Sequence, residues 1–168
     1  MRLEKPDKET ALKYDYMICE RNGTDWKAAY RRRQMLSGEE TIEQGNMDDF
    51  EYYKAISVPM YRYYLIDDDG TIIGRAQISK RGDMVDIQYI KIEEGMQHKG
   101  YGNKMIELIE QDVFQDSKVS GICMEDASQN GETSAIVTKL GYTVNSKLDI
   151  SKANPNYKKT DLDDDFDR

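Results

Sequence analysis

Between residues 97 and 103 the chain reads Gln97-His98-Lys99-Gly100-Tyr101-Gly102-Asn103, directly ahead of an apolar helical pattern carrying Met105, Ile106, Leu108, Ile109 and Val113. Two glycines and a small polar residue at the mouth of a helix leave backbone N–H groups accessible, and the helix dipole adds partial positive charge. Such a turn is shaped for a pyrophosphate. Lys99 and the polar side chains of Gln97 and Asn103 offer further donors to the same oxygens. A Walker loop needs G-x-x-x-x-G-K-[ST], which this segment lacks. A dinucleotide fingerprint needs a third glycine where Met105 stands, and it follows a parallel βαβ unit where this chain has hairpins. His98, the sole histidine, lies inside the loop and reads as a backbone position there.

The elements that must hold this turn are legible on both sides of it. Tyr61, Tyr63, Tyr64, Leu65 and Ile66, then Asp67-Asp68-Asp69-Gly70, then Thr71 to Ile78 make a hairpin around an Asp-Gly turn. The three aspartates do not fit a calcium loop, because glycine follows the third at once and no glutamate closes the spacing. Arg81-Gly82-Asp83 turns into a strand from Met84 to Ile92, and the helix starts near Gly100. A strand at Val119–Met124, a helix at Asn130–Leu140 and a last strand from Tyr142 to about Ile150 follow.

Ahead of all this lie amphipathic helices. One starts after the cap Asp7 and stops at Asn22-Gly23, a second begins at Asp25, and a short third runs through Phe50 and Ile56.

Composition bounds the partners. Lys and Arg number 24 against 32 Asp and Glu, a formal charge of −8, so the chain is not built to neutralise phosphate backbones and no nucleic acid is expected. The two cysteines, Cys19 and Cys123, have no CxxC or Cys/His spacing, so no metal site is expected. The start, Met-Arg-Leu-Glu-Lys-Pro-Asp, is charged and runs into no apolar stretch, so neither a signal peptide nor a membrane contact is expected and the cytoplasm is the expected compartment.

Gln97-x-x-Gly100-x-Gly102 resembles the [Q/R]-x-x-G-x-[G/A] pyrophosphate loop of the GNAT N-acetyltransferases. A second block, from Asn130 and Thr133 through Ile136-Val137-Thr138-Lys139-Leu140-Gly141-Tyr142, is similar to that family's N-x-x-A-x-x-L-Y-x-K-L-G-F segment. The resemblance covers about Met60 to Asp149. It implies a single α/β (α+β) GNAT domain with a mixed, mostly antiparallel central sheet splayed in the middle and flanked by helices. It divides the chain into 1–150, with a helical acceptor-side segment at 1–58 and an acyl-CoA core at 60–150. An acidic tail follows at 151–168, expected to be disordered from its charge.

The same resemblance implies acetyl-CoA as co-substrate. It would be held by Ile90, Lys91 and Ile92 through an open strand edge, by Gln97, His98, Lys99, Gly100, Tyr101, Gly102 and Asn103 at the pyrophosphate, and by Asn130. The implied reaction is direct attack by a primary amine of a small molecule or protein on the thioester in a ternary complex, with a monomer or homodimer as the working unit. A CoA-binding module without catalysis is the alternative, because the family's usual acid tyrosine falls at Val137. Tyr142, Tyr101 or water would then give the proton. The base position falls at Gln88, leaving Asp86, Tyr89, Glu125 and Asp126 as nearby candidates, of which Asp86 and Glu125 rank first.

The N-terminal aromatics, Trp26, Tyr30, Tyr52 and Tyr53 among them, are expected to be mostly core. Any that line an acceptor pocket would suit a cationic amine.

Overall fold

The computed structural model describes residues 1–158. The chain falls into two compact units, Lys5–Arg62 on the one hand and Met1–Glu4 together with the chain from Tyr63 onward on the other.

The first of these holds α1 (Lys8–Asn22), α2 (Trp26–Ser37) and α3 (Asp49–Ile56). Each begins at an aspartate whose carboxylate accepts the N–H three residues on: Asp7 from Thr10 at 2.8 Å, Asp25 from Ala28 at 3.0 Å and Asp48 from Glu51 at 2.8 Å. A cap of this kind contributes about 1 kcal/mol by satisfying an orphan donor. Gly23 ends α1 in the left-handed region, where the Asn22-Gly23 pair placed the stop. Trp26, Tyr30 and Tyr52 form the buried centre, with Tyr16, Tyr53 and Ile56 against it. The Tyr52 hydroxyl donates to the carbonyl of Ile42 at 2.7 Å and the Tyr30 hydroxyl accepts the Ile42 N–H at 2.9 Å, which ties the chain between α2 and α3 to that centre. Three of the aromatics that crowd the early sequence are therefore this unit's own core.

The second unit is a seven-stranded sheet: β1 (Arg2–Glu4), β2 (Tyr63–Ile66), β3 (Ile72–Arg81), β4 (Met84–Ile92), β5 (Gly121–Met124), β6 (Thr143–Ser146) and β7 (Asp149–Ala153). It carries two helices, α4 (Tyr101–Val113) and α5 (Glu132–Lys139). The strand order is β1-β2-β3-β4-β5-β7-β6. Neighbours are antiparallel except β4 and β5, which run parallel and are joined through α4 as a parallel pair requires. The β2–β3 turn is built by Asp67, whose Oδ1 accepts the N–H groups of Asp69 and Thr71 at 3.0 and 2.8 Å. The aspartate cluster is thus turn chemistry. The apolar face of α4, Met105, Ile106, Ile109 and Val113, buries against Tyr63, Leu65, Ala76, Val85 and Ile87 of the sheet. Each such fully buried side chain contributes about 1.5–3 kcal/mol. No helix among the described residues is long and apolar enough to cross a membrane.

Two expectations change. The single strand expected from Tyr142 to Ile150 is a hairpin, β6 and β7, turning at Lys147 and Leu148, and its second arm inserts between β5 and β6. The polar run Asn145-Ser146-Lys147 breaks the strand pattern where the chain reverses. The boundary expected at residue 150 falls inside β7, which continues to Ala153 by pairing Ser151 and Lys152 with Cys123 and Ile122. Asn154 beyond it is buried and donates through Nδ2 to the carbonyls of Asp116 and Val119 at 3.1 and 2.8 Å. Residues 159–168, which include the acidic run from Asp161, lie outside the described residues. The short β1, three residues of mixed charge, carries no strand signal in sequence and is held by pairing Leu3 with Leu65 of β2.

Candidate functional site

β4 and β5 pair only from Met84–Gly121 to Ile87–Met124. On its other side β4 carries a bulge: Ile78 of β3 opposes Ile87 and Gln77 opposes Tyr89, so Gln88 is the extra residue. A bulge bends its strand and increases the local twist. Beyond Gln88, β4 stays with β3 and leaves β5, opening a gap of about 360 Å³. One wall is β4 from Ile87 through Tyr89 and Ile90 to Ile92, roughly 16 Å of strand at about 3.3 Å per residue. Facing it are Met124, Glu125, Ala127 and Ser128 at the end of β5 and Thr133 and Ile136 of α5, with Gly102 and Ile106 of α4 closing the side.

The open edge of β4 is usable. Glu93 donates its N–H to the carbonyl of Ile73 on β3 at 2.8 Å. Along a strand these groups alternate sides, so the N–H and C=O of Ile90 and the N–H of Ile92 point into the gap, where an extended ligand could pair with them. Ile90 and Ile92 line the gap, whereas Lys91, between them on the strand, does not.

At the far end of the gap α4 begins at Gly100, in the left-handed region at φ 81° and without a side-chain cap. The first N–H groups of an α-helix have no partner within it, so here they are open to a partner from outside the helix. Gly102 is instructive because nothing in the protein requires it to be glycine: its φ is unexceptional and a Cβ there would meet no atom within 4 Å. Glycine at a helical position costs about 0.5–1 kcal/mol against alanine, and what its bareness gives is room beside the backbone on a residue that lines the gap. His98 takes φ 64° and, like Lys99, is exposed on the loop. Gln97 is placed otherwise than its type suggested: its Nε2 donates to the carbonyl of Ile92 at 3.1 Å, bracing the loop against the strand end. The Oδ1 of Asn103 is buried with no hydrogen-bond partner among the described residues. Tyr101 packs half-buried on the core and Asn130 is exposed; neither lines the gap.

The acetyltransferase (GNAT) family profile matches residues 25–142, more than half of the chain. The chain belongs to the GNAT acetyltransferase family. Its fold is similar to that of the ribosomal-protein-S18-alanine N-acetyltransferase of Escherichia coli, with a TM-score of 0.53 and 13% identity over 95% of this chain and 96% of that one. Weaker likenesses are the E. coli protein YhhK bound to coenzyme A, with a TM-score of 0.44 and 17% identity over 71% and 84% of the two chains, and the spermidine/spermine N-acetyltransferase SpeG of Vibrio cholerae, with 0.47 and 14% over 75% and 87%. No curated protein matches the sequence.

The structure separates the GNAT chain's candidate catalytic side chains. Glu125 is exposed and lines the gap. Asp86 does not: it alternates with the buried Val85 and Ile87, so it lies on the other face of β4, opposite Ser79 and Cys123 in the ladders. Burial, then the Asp86 carboxylate, pushes the Cys123 thiol up. Tyr142 is buried in the core, 4% exposed, and its hydroxyl donates to Glu110 Oε2 at 3.4 Å. Burial, the Glu110 charge and that bond together raise its pKa far above the usual tyrosine range, and Tyr142 is not among the gap-lining residues. Val137, at the family's tyrosine position, is wholly buried.

Asp126 is structural. Burial alone would raise its pKa, but bonds from Ser128 and Ser134, side chain and backbone, outweigh that and hold the carboxyl well below its usual range. Its Oδ2 accepts the Ser134 N–H at 3.0 Å in the first turn of α5, so it caps that helix from a distance. The gap-lining Ser128 and Met124 carried no site signal in sequence, because their place depends on where β5 ends against α5.

Proposed function

We propose that this GNAT protein transfers an acetyl or other short acyl group from acyl-CoA to a primary amine by direct attack in a ternary complex. The observation that carries the proposal is the single gap that runs from the uncapped start of α4, along the open edge of β4, to the last β4–β5 pair. An anionic head, an extended amide arm and a thioester meet, in that order, helix N–H groups, strand-edge N–H and C=O groups, and an apolar end at Ile87 and Met124. Of the open-edge donors, the N–H of Ile90 lies nearer that apolar end and is the candidate donor for the oxyanion that forms on attack, while the N–H of Ile92 meets the amide arm.

Glu125 and Tyr89 are the titratable side chains among the gap-lining residues. In this reading Glu125 takes a proton from the incoming ammonium, directly or through one water, so that a neutral amine attacks; Tyr89 protonates the departing thiolate and recovers the proton that the new amide nitrogen sheds. The acceptor is an amine of a small molecule or of a protein.

The test is thiol release from acetyl-CoA with a panel of amines, on wild type and on Glu125→Gln. Loss of one general base lowers kcat about 10²–10⁴-fold while CoA affinity stays. Wild-type activity in Glu125→Gln removes Glu125 from the mechanism. The buried Val137 and the Tyr142 hydroxyl, which bonds Glu110 outside the gap lining, favour a second reading, CoA binding without turnover; tight CoA binding with no thiol release from any amine would select it.

A further inference from the structure

We infer that the buried ion pair of Arg75 and Glu93 is a positioning device for the pyrophosphate loop, an inference that rests on the acyl-CoA reading above. Glu93 is the first residue beyond β4, where the strand becomes the loop that leads to Gly100. Its side chain is fully buried, and its Oε1 accepts from Arg75 Nε at 2.7 Å, with the Arg75 side chain only 10% exposed. Arg75 opposes Lys91 in the β3–β4 ladder, so Glu93 is its diagonal neighbour.

Glu93 is fixed from three directions. Its N–H goes to the Ile73 carbonyl at 2.8 Å, its carboxylate goes to Arg75, and its own carbonyl accepts the Met96 N–H at 3.0 Å. That last bond closes a four-residue turn, Glu93-Glu94-Gly95-Met96, with Gly95 at φ 84° in the third position, where a type II turn requires a positive φ. Gln97 then returns to the Ile92 carbonyl. The loop therefore leaves the sheet as a braced ring, and its direction of departure is set at Glu93.

A buried pair adds little stability over apolar residues of the same volume, because desolvation offsets the attraction; what it adds is geometry. Here the geometry is that of the backbone which must meet the pyrophosphate. Arg75 and Glu93 do not line the gap, so they act through the loop and touch no reacting atom.

The test compares a ligand that carries the pyrophosphate with one that lacks it. Dissociation constants for CoA and for pantetheine are measured by calorimetric and NMR titration on wild type, Arg75→Met, Glu93→Gln and the double variant Arg75→Met/Glu93→Leu. The double variant removes both charges of the pair together, so neither is left buried without the other, and it keeps the test valid if a single variant fails to fold. CoA affinity is expected to fall about 10- to 100-fold, the loss of one N–H bond to a charged oxygen, in every folded variant, with pantetheine affinity unchanged.

Equal losses for both ligands, or CoA affinity restored in the double variant, overturn the inference and leave the pair a stability element. A folded wild type that binds no CoA overturns the acyltransferase reading and this inference with it. Wild-type CoA binding that the variants retain overturns the inference alone.

Discussion

Replacing Gly102 by alanine separates the needs of the fold from those of the ligand. The added Cβ meets no protein atom within 4 Å and the backbone there is not in the left-handed region, so the folded state accepts it without strain. Alanine is the better helix former by about 0.5–1 kcal/mol, and a chain of this size gains roughly 2–4 °C in Tm per kcal/mol. The variant should therefore melt about 1–4 °C above wild type without ligand. The same methyl stands on a gap-lining residue at the head of α4, where a phosphate oxygen must come within about 3 Å of backbone N–H groups. Displacing it by one such charge-assisted bond lowers CoA affinity about 10- to 100-fold. Thermal unfolding of the free protein and calorimetric titration with CoA read the two effects independently. A lower Tm would show that the fold itself needs the glycine; unchanged affinity would show that nothing approaches Gly102.

Other perturbations bear on single steps of the account. Tyr142→Phe should leave turnover with an active amine near wild type and lower stability by about 1 kcal/mol, since the hydroxyl bonds Glu110 outside the gap; a collapse of kcat with CoA binding intact would return Tyr142 to the mechanism. Asn154→Ala strips two carbonyls of a buried donor and should cost about 1–3 kcal/mol, read as a lower urea midpoint; an unchanged midpoint would mean the segment after β7 is not part of the folded core. Asp126 is held below the usual carboxylate range, so its contribution to stability is fully present above the unfolded value near 3.8 and fades as pH falls toward its depressed folded value. Asp126→Asn should flatten the acid limb of the stability curve, and an unaltered limb in urea titrations between neutral and acid pH would contradict that.

Much of the sheet was legible because its signals are local. β4 runs from Met84 to Ile92 as the sequence reads, the Asp-Gly turn joins β2 to β3, and Gly100 is the residue from which α4 starts. The loop was legible for the same reason, since the glycines and the helix pattern are contiguous. The hairpin of β6 and β7 was not, because a short polar turn within a strand-like run marks no reversal until β5 presents an edge for β7 to join. Catalytic roles were the least legible. Asp86 and Glu125 are equal as carboxylates near strand ends, and only strand alternation and the bulge at Gln88 put one on the far face and the other in the gap. Gln97 had the right type for a phosphate donor, yet the carbonyl of Ile92, left open where β4 parts from β5, takes its amide instead.

The most direct test of the acyl-CoA site is calorimetric titration of acetyl-CoA into wild type and into the Gly100→Asp/Gly102→Asp variant, each first shown to be folded by thermal unfolding. Saturable binding to wild type that the variant lacks is the predicted result; no binding to folded wild type, or equal binding to both, would contradict it.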